Sequence, residues 1–98
     1  MKVTNFWTLF KLWISIIEGH NIKLSSANII FGILNNAAYR QNFCILQAKW
    51  FIHLHKTDYL INFNQFLLYF TGVLCVERQL AVNLKRENEF DKIFNVFN

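Results

Sequence analysis

The residues that could do chemistry are few, and their spacing is poor. His53 and His55 stand two apart, with Cys44 before them and Cys75 after them. Imidazoles and thiolates are zinc ligands, but two imidazoles at i and i+2 leave a helix in different directions and cannot readily close on one ion, although on a strand they could. No pair of ligands has finger-like spacing. The expected roles are structural, with His55 tucked against the core and His53 on a solvent edge. A Cys–His nucleophile needs hydrogen-bond contact between thiol and ring. Cys44 precedes His53 by about two and a half helical turns, which is too far, and Cys75 could meet His55 only through tertiary packing. There is no glycine-rich phosphate loop, no His-Glu-x-x-His and no Gly-x-Ser-x-Gly. The sequence therefore predicts no enzyme and no cofactor.

The cations carry a sharper pattern. Arg40, Lys49, His53 and Lys56 fall along one predicted helix, and Arg78, Lys85 and Arg86 along the next. Lys49, His53 and Lys56 share a face, because helical residues three and four apart stack above one another. If the two helices pack antiparallel, the two rows can line a shared stripe, with Trp50 or Tyr39 as a stacking surface. Phosphate attraction plus base stacking is how sequence-tolerant binders of RNA and single strands work. The net charge of +4 is compatible with that. It is equally the charge of an ordinary soluble domain, whose basic residues are solvated and whose aromatics form the core.

The element that must position these groups is the stretch from Asn42 to His55. Phe43, Leu46, Trp50 and Leu54 lie on one side, with Cys44, Ala48, Phe51 and His55 next to it. A helix apolar over most of its circumference belongs inside a bundle. The expectation is a central helix from Ala37 to about Lys56, packed on most sides, with one basic edge in water. Before it, Thr4 or Asn5 can cap a helix from Phe6 to Glu18, whose apolar positions are Phe6, Leu9, Phe10, Trp13, Ile16 and Ile17. Gly19 is its stop. Ser25 caps a brief helix carrying Ala27, Ile30, Phe31 and Leu34. After the central helix, Asn62 with Gln65 three residues on has capping-box spacing. The helix it opens runs from Phe63 to about Glu87, and Glu77 and Arg78 interrupt its apolar side. Phe90, Ile93, Phe94 and Phe97 form a last amphipathic piece, which folds back as a fifth helix or frays.

Composition agrees with this outline. Of 98 residues, 54% are hydrophobic and 17% aromatic, and there is no proline, so nothing interrupts long helices. Length and pattern predict one domain, residues 1–98, folded as an all-α bundle of four helices, or five if the last ten residues or so are not frayed. Two cysteines in apolar runs read as buried thiols of an intracellular, reducing compartment, nuclear or cytoplasmic. No small-residue cleavage site follows the first apolar run, so no signal peptide is expected. Tyr59 to Val76 is the one candidate membrane span. It holds Asn62, Asn64, Gln65 and Gly72, whereas a span needs about 20 predominantly apolar residues.

The runs Asn28-Ile29-Ile30-Phe31-Gly32-Ile33 and Asn42-Phe43-Cys44-Ile45-Leu46-Gln47-Ala48-Lys49-Trp50-Phe51-Ile52-His53 resemble the region after the polymerase domain of LINE-type non-LTR retrotransposon reverse transcriptases. That region has a Phe-Gly-Ile-like turn, an apolar helix, a Lys-aromatic-Phe-Ile-His element and then a Phe-x-x-Phe helix, where Phe63 and Phe66 stand here. The likeness covers roughly Leu24 to Glu89. It implies a detached accessory segment that helps to hold template RNA, with contact at Lys49, His53 and Lys56. The polymerase's paired catalytic aspartates, the endonuclease and a Cys/His zinc cluster are all missing, so no polymerase activity is implied. The expected function is a non-catalytic module binding RNA or single-stranded nucleic acid through a basic helix face. The competing classes are a structural bundle that self-associates or docks a protein partner through exposed aromatics, and a small membrane-associated helical protein.

Overall fold

A computed structural model describes residues 3–22, 24–25, 28–29, 39–55 and 62–97. Among these the chain is all-α, a bundle of four helices with no strand: α1 (Val3–Glu18), α2 (Tyr39–Leu54), α3 (Phe63–Asn83) and α4 (Glu87–Phe94), the last running into a 3-10 turn at Asn95–Phe97. The short helix expected after Ser25 is described only at its start, where residues 28–29 are helical. There Ser25 and Asn28 cap each other: the Asn28 N–H donates to Ser25 Oγ and the Ser25 N–H to Asn28 Oδ1, both at 3.1 Å. The rest of that helix, Lys56 and the first residues of the candidate span at 59–61 lie outside the described residues.

Local chemistry sets most of the boundaries. α1 begins at Val3, so Thr4 and Asn5, read as caps, belong to its first turn. Its end is where the glycine predicted it. Gly19 takes φ +79°, a left-handed conformation that costs a residue without Cβ little, and its N–H closes on Ser15 O at 2.9 Å. Ser15 Oγ then accepts the N–H of Ile22 at 2.9 Å, which folds the outgoing chain back and buries Ile22. At the start of α3, Asn62 Oδ1 accepts the N–H groups of Asn64 and Gln65 at 2.8 and 3.3 Å, satisfying two donors that no helical carbonyl reaches.

The core is a stack of rings contributed by three helices. Phe6, Phe10 and Ile14 of α1, Cys44, Ile45, Ala48 and Phe51 of α2, and Phe66 and Phe70 of α3 are all buried. Phe66 is the hub, with ring centroids of Phe6, Phe51, Phe70 and Trp13 at 5.5, 5.6, 5.7 and 5.8 Å. Most of these contacts are edge-to-face or tilted, the arrangement in which ring quadrupoles attract. The pairings Phe51–Phe66 and Phe43–Phe70 set α2 and α3 antiparallel, the condition on which the shared basic stripe depended.

The core face of α1 differs from the expected one. Ile14 is buried, whereas Leu9 and Ile16 are exposed, Ile16 by 78%. α3 is also shorter than its apolar pattern. It ends at Asn83, and Leu84, Lys85 and Arg86 turn the chain into α4. Burial along α3 stops at Phe70, so the helix has left the core before Glu77 and Arg78. α4 folds back against this projecting half, burying Phe94 and laying Phe97 against Trp13 and Phe70 at 5.7 and 5.2 Å. No helix among the described residues is long and apolar enough to cross a membrane.

Candidate functional site

α2 is a helix, as the pattern requires, but its solvent side is not the basic edge expected of it. The buried face is Cys44, Ile45, Ala48 and Phe51. The neighbouring row, expected to be packed as well, is half open to water: Leu46 is 59% exposed, Trp50 52% and Leu54 52%. An all-round apolar helix has no face that must be inward. Among the described residues α1, α3 and α4 all reach α2, and they leave the row of Leu46, Trp50 and Leu54 half open.

Among the described residues the cations do not assemble into one stripe. Arg40 faces inward. Its Nη2 and Nε donate to Glu18 Oε2 and Oε1 at 2.6 and 3.0 Å, and its Nη1 donates to the Ile93 carbonyl at 2.8 Å. One guanidinium thus ties the ends of α1 and α4 to the start of α2. The hydrogen bond from Arg40 holds the Glu18 carboxyl below its ordinary range, against the opposing effect of burial. Arg78 is likewise paired, with Glu87, and with Asp91 at 3.3 Å. Both partners are on α4, so this cation fastens α4 to α3. Lys85 and Arg86 are exposed in the turn between those helices. Lys49 is half-buried and His53 exposed near the other end of α2. Since α2 and α3 are antiparallel, that end lies beside the start of α3, roughly 33 Å along the helix from Lys85. Lys56, the third member of the predicted face, lies outside the described residues.

The histidines and cysteines separate in the same way. The His55 ring lies 4.4 Å from Phe51, against the core, and the His53 ring stacks on Trp50 at 5.3 Å. Cys44 is buried, and burial pushes its thiol well above the ordinary range, away from the reactive thiolate. Cys75 is exposed, contrary to the buried thiol expected, and neither cysteine is in a disulfide. Among the described residues no three His, Cys, Asp or Glu side chains are grouped to hold a metal.

What the fold does build is an apolar groove of about 760 Å³ between α2 and α3. Leu46, Gln47 and Trp50 form one wall, and Tyr69, Gly72, Val73, Val76 and Glu77 the other. Its polar floor is internally satisfied: Tyr69 Oη donates to Gln47 Oε1 at 3.1 Å, and partial burial raises the phenol above its ordinary range. Gly72 leaves a gap in the second wall, since a Cβ built there would meet no atom within 4 Å. Val76 and Leu80, 61% and 50% exposed, continue that wall one and two turns further on. A second apolar hollow of about 350 Å³ lies under α4, between Trp13, Phe70, Phe90 and Phe97. Sequence reasoning missed the groove because it placed Leu46 and Trp50 in the core. The available signal was an excess of large apolar residues on α2 and α3 beyond what one inward face can bury. Compared with known proteins, the chain matches no family model, no curated protein and no solved structure.

Proposed function

We propose that this chain is a non-catalytic interaction module whose α2/α3 groove receives an apolar helix. The observation that carries the reading is the groove itself. Leu46, Trp50, Val76 and Leu80 are each at least half exposed along one antiparallel helix pair. Contiguous apolar surface rimmed by polar groups is the mark of a recognition site, and an amphipathic helix laid in a groove is one recurring way such a surface is filled. Two of the cations that could have argued for another partner, Arg40 and Arg78, are committed to carboxylates within the fold. The free thiols of Cys44 and Cys75 fit a reducing compartment.

Trp50 lines the groove, and in a Trp7→Phe, Trp13→Phe background it is the one tryptophan left to report on it. Titration with a helical peptide bearing leucines at i, i+3, i+4 and i+7 is expected to shift the Trp50 emission to the blue. Gly72→Leu, which fills the gap, is expected to weaken the peptide at least tenfold. A peptide that binds both proteins equally removes the groove from the reading.

A second reading is supported by the Trp50–His53 stack beside Lys49. It is a small aromatic and basic platform of the kind that holds single-stranded RNA, at two of the three positions the retrotransposon likeness points to. Binding of single-stranded RNA that falls steeply with salt and is weakened by Lys49→Glu supports it. Binding to neither RNA nor the peptide leaves neither reading standing.

A further inference from the structure

We propose that the hollow under α4 is a binding site for a small, neutral, bicyclic aromatic molecule. Three helices wall it: Trp13 and Ile17 come from α1, Phe70 and Leu74 from α3, and Phe90 and Phe97 from α4 and the turn that follows it. A pocket between the helices of a bundle is a usual seat for an apolar ligand. The walls hold the space open. Trp13, Phe70 and Phe97 meet one another at 5.3, 5.2 and 5.7 Å, so each ring is braced by the other two. α4 is held over the hollow by Arg78, paired with Glu87 and Asp91, and by Arg40 on the Ile93 carbonyl.

Size and chemistry name the ligand class. The hollow measures about 350 Å³. An apolar cavity of about 150 Å³ takes up benzene, so this one has room for two fused rings. Its polar groups are already engaged: Thr71 Oγ1 donates to Leu67 O at 2.9 Å, and Arg78 serves two carboxylates. Among the described residues no buried side-chain nitrogen or oxygen lacks a partner, so the hollow calls for no polar head group. Arg78 is the one charged residue of the lining, and Glu87 with Asp91 more than offsets it, so an anion gains nothing there. The lining forfeits dispersion contacts across the gap, which a ligand restores. Ring faces and edges on the walls favour an aromatic guest. Cys75 lines the hollow and is exposed, so its thiol marks the opening to solvent.

The rate at which Cys75 of the full chain reacts with Ellman's reagent reports on occupancy, with naphthalene as the probe. Naphthalene is expected to slow that reaction severalfold and saturably. Thr71→Phe and Val96→Phe replace exposed residues of the lining and fill the hollow from α3 and from the chain after α4. Each should keep the fold by circular dichroism and abolish the naphthalene effect. Naphthoate, of similar size but charged, should bind at least tenfold more weakly. A thiol rate indifferent to naphthalene overturns the inference. So does protection that survives both substitutions, since the molecule would then sit elsewhere, and so does naphthoate bound as tightly as naphthalene.

Discussion

Arg40 binds Glu18 through two parallel hydrogen bonds, Nη2 to Oε2 at 2.6 Å and Nε to Oε1 at 3.0 Å, across 22 residues of sequence. The carboxylate side chain is only 10% exposed and the guanidinium 26%. The fork geometry fits carboxylate better than a lysine could. With the third bond to the Ile93 carbonyl, the pair fixes where α1 ends, α2 begins and α4 docks.

The pair makes stability depend on acid. The folded-state pKa of Glu18 lies below its ordinary value of 4.5, first because Arg40 donates to the charged form. A depressed carboxylate stabilises the fold above its unfolded pKa, and that contribution is lost as pH falls through the folded value. Glu18→Gln is expected to cost about 2 kcal/mol at neutral pH, the scale of a hydrogen bond to a charged group. The gap between wild type and variant should then close as pH drops below 4.5. Urea unfolding of both proteins at several pH values measures it, and a gap that stays constant to about pH 3 contradicts the assignment.

Phe66 should be the costliest side chain to truncate. It is completely buried and touches rings from all three core helices. Phe66→Ala is expected to remove about 3–5 kcal/mol, a large part of the roughly 5–15 kcal/mol a small domain possesses. Leu68, two residues on and 76% exposed, is the control, and Leu68→Ala should change stability by no more than about 0.5 kcal/mol. Equal losses at the two sites, by denaturant titration, would mean that α3 presents another face.

What could be read in advance was local. Gly19 and Asn62 act on backbone groups within a few residues of themselves, so their roles are written in the neighbouring sequence. The helical character of α2 and α3 followed from period and from a shared apolar content, whereas their antiparallel setting entered only as a condition. The inward face of α2 did not follow, because a helix apolar on all sides is indifferent to rotation until its partners arrive. Phe66 and Phe70 decide that Ala48 goes inward and Leu46 outward. Arg40 misled for the opposite reason. A cation reads as a surface charge unless its partner is in view, and here the partners lie 22 and 53 residues away.

The two thiols should differ sharply in reactivity. Cys44 is buried among apolar neighbours, whereas Cys75 is exposed on α3 beside the hollow under α4. Thiolate access sets the rate of attack on a disulfide reagent. Ellman's reagent is therefore expected to titrate one thiol per native chain rapidly, and the second only on unfolding. Cys75→Ser should abolish the fast phase and Cys44→Ala should spare it. Two fast thiols would place Cys44 outside the core.

Lys85 offers a gain rather than a loss. It sits at φ 59°, a left-handed conformation, immediately after α3. The Arg86 N–H reaches Ala81 O at 2.7 Å and the Lys85 N–H reaches Val82 O at 3.1 Å, so the α3 end is a Schellman turn with lysine where glycine is usual. A Cβ in that conformation costs roughly 1 kcal/mol, which glycine avoids at the expense of a more flexible unfolded chain. The strain term is the larger, so Lys85→Gly is expected to stabilise the protein by about 0.5 kcal/mol and Lys85→Ala to leave the strain in place. Because the turn sets the angle at which Glu87 and Asp91 approach Arg78, a β-branched residue tests it from the other side. Lys85→Val should destabilise α4 docking by more than about 1 kcal/mol. Thermal unfolding of the three variants should rank them glycine, alanine, valine, and any order with valine above glycine would refute the left-handed turn.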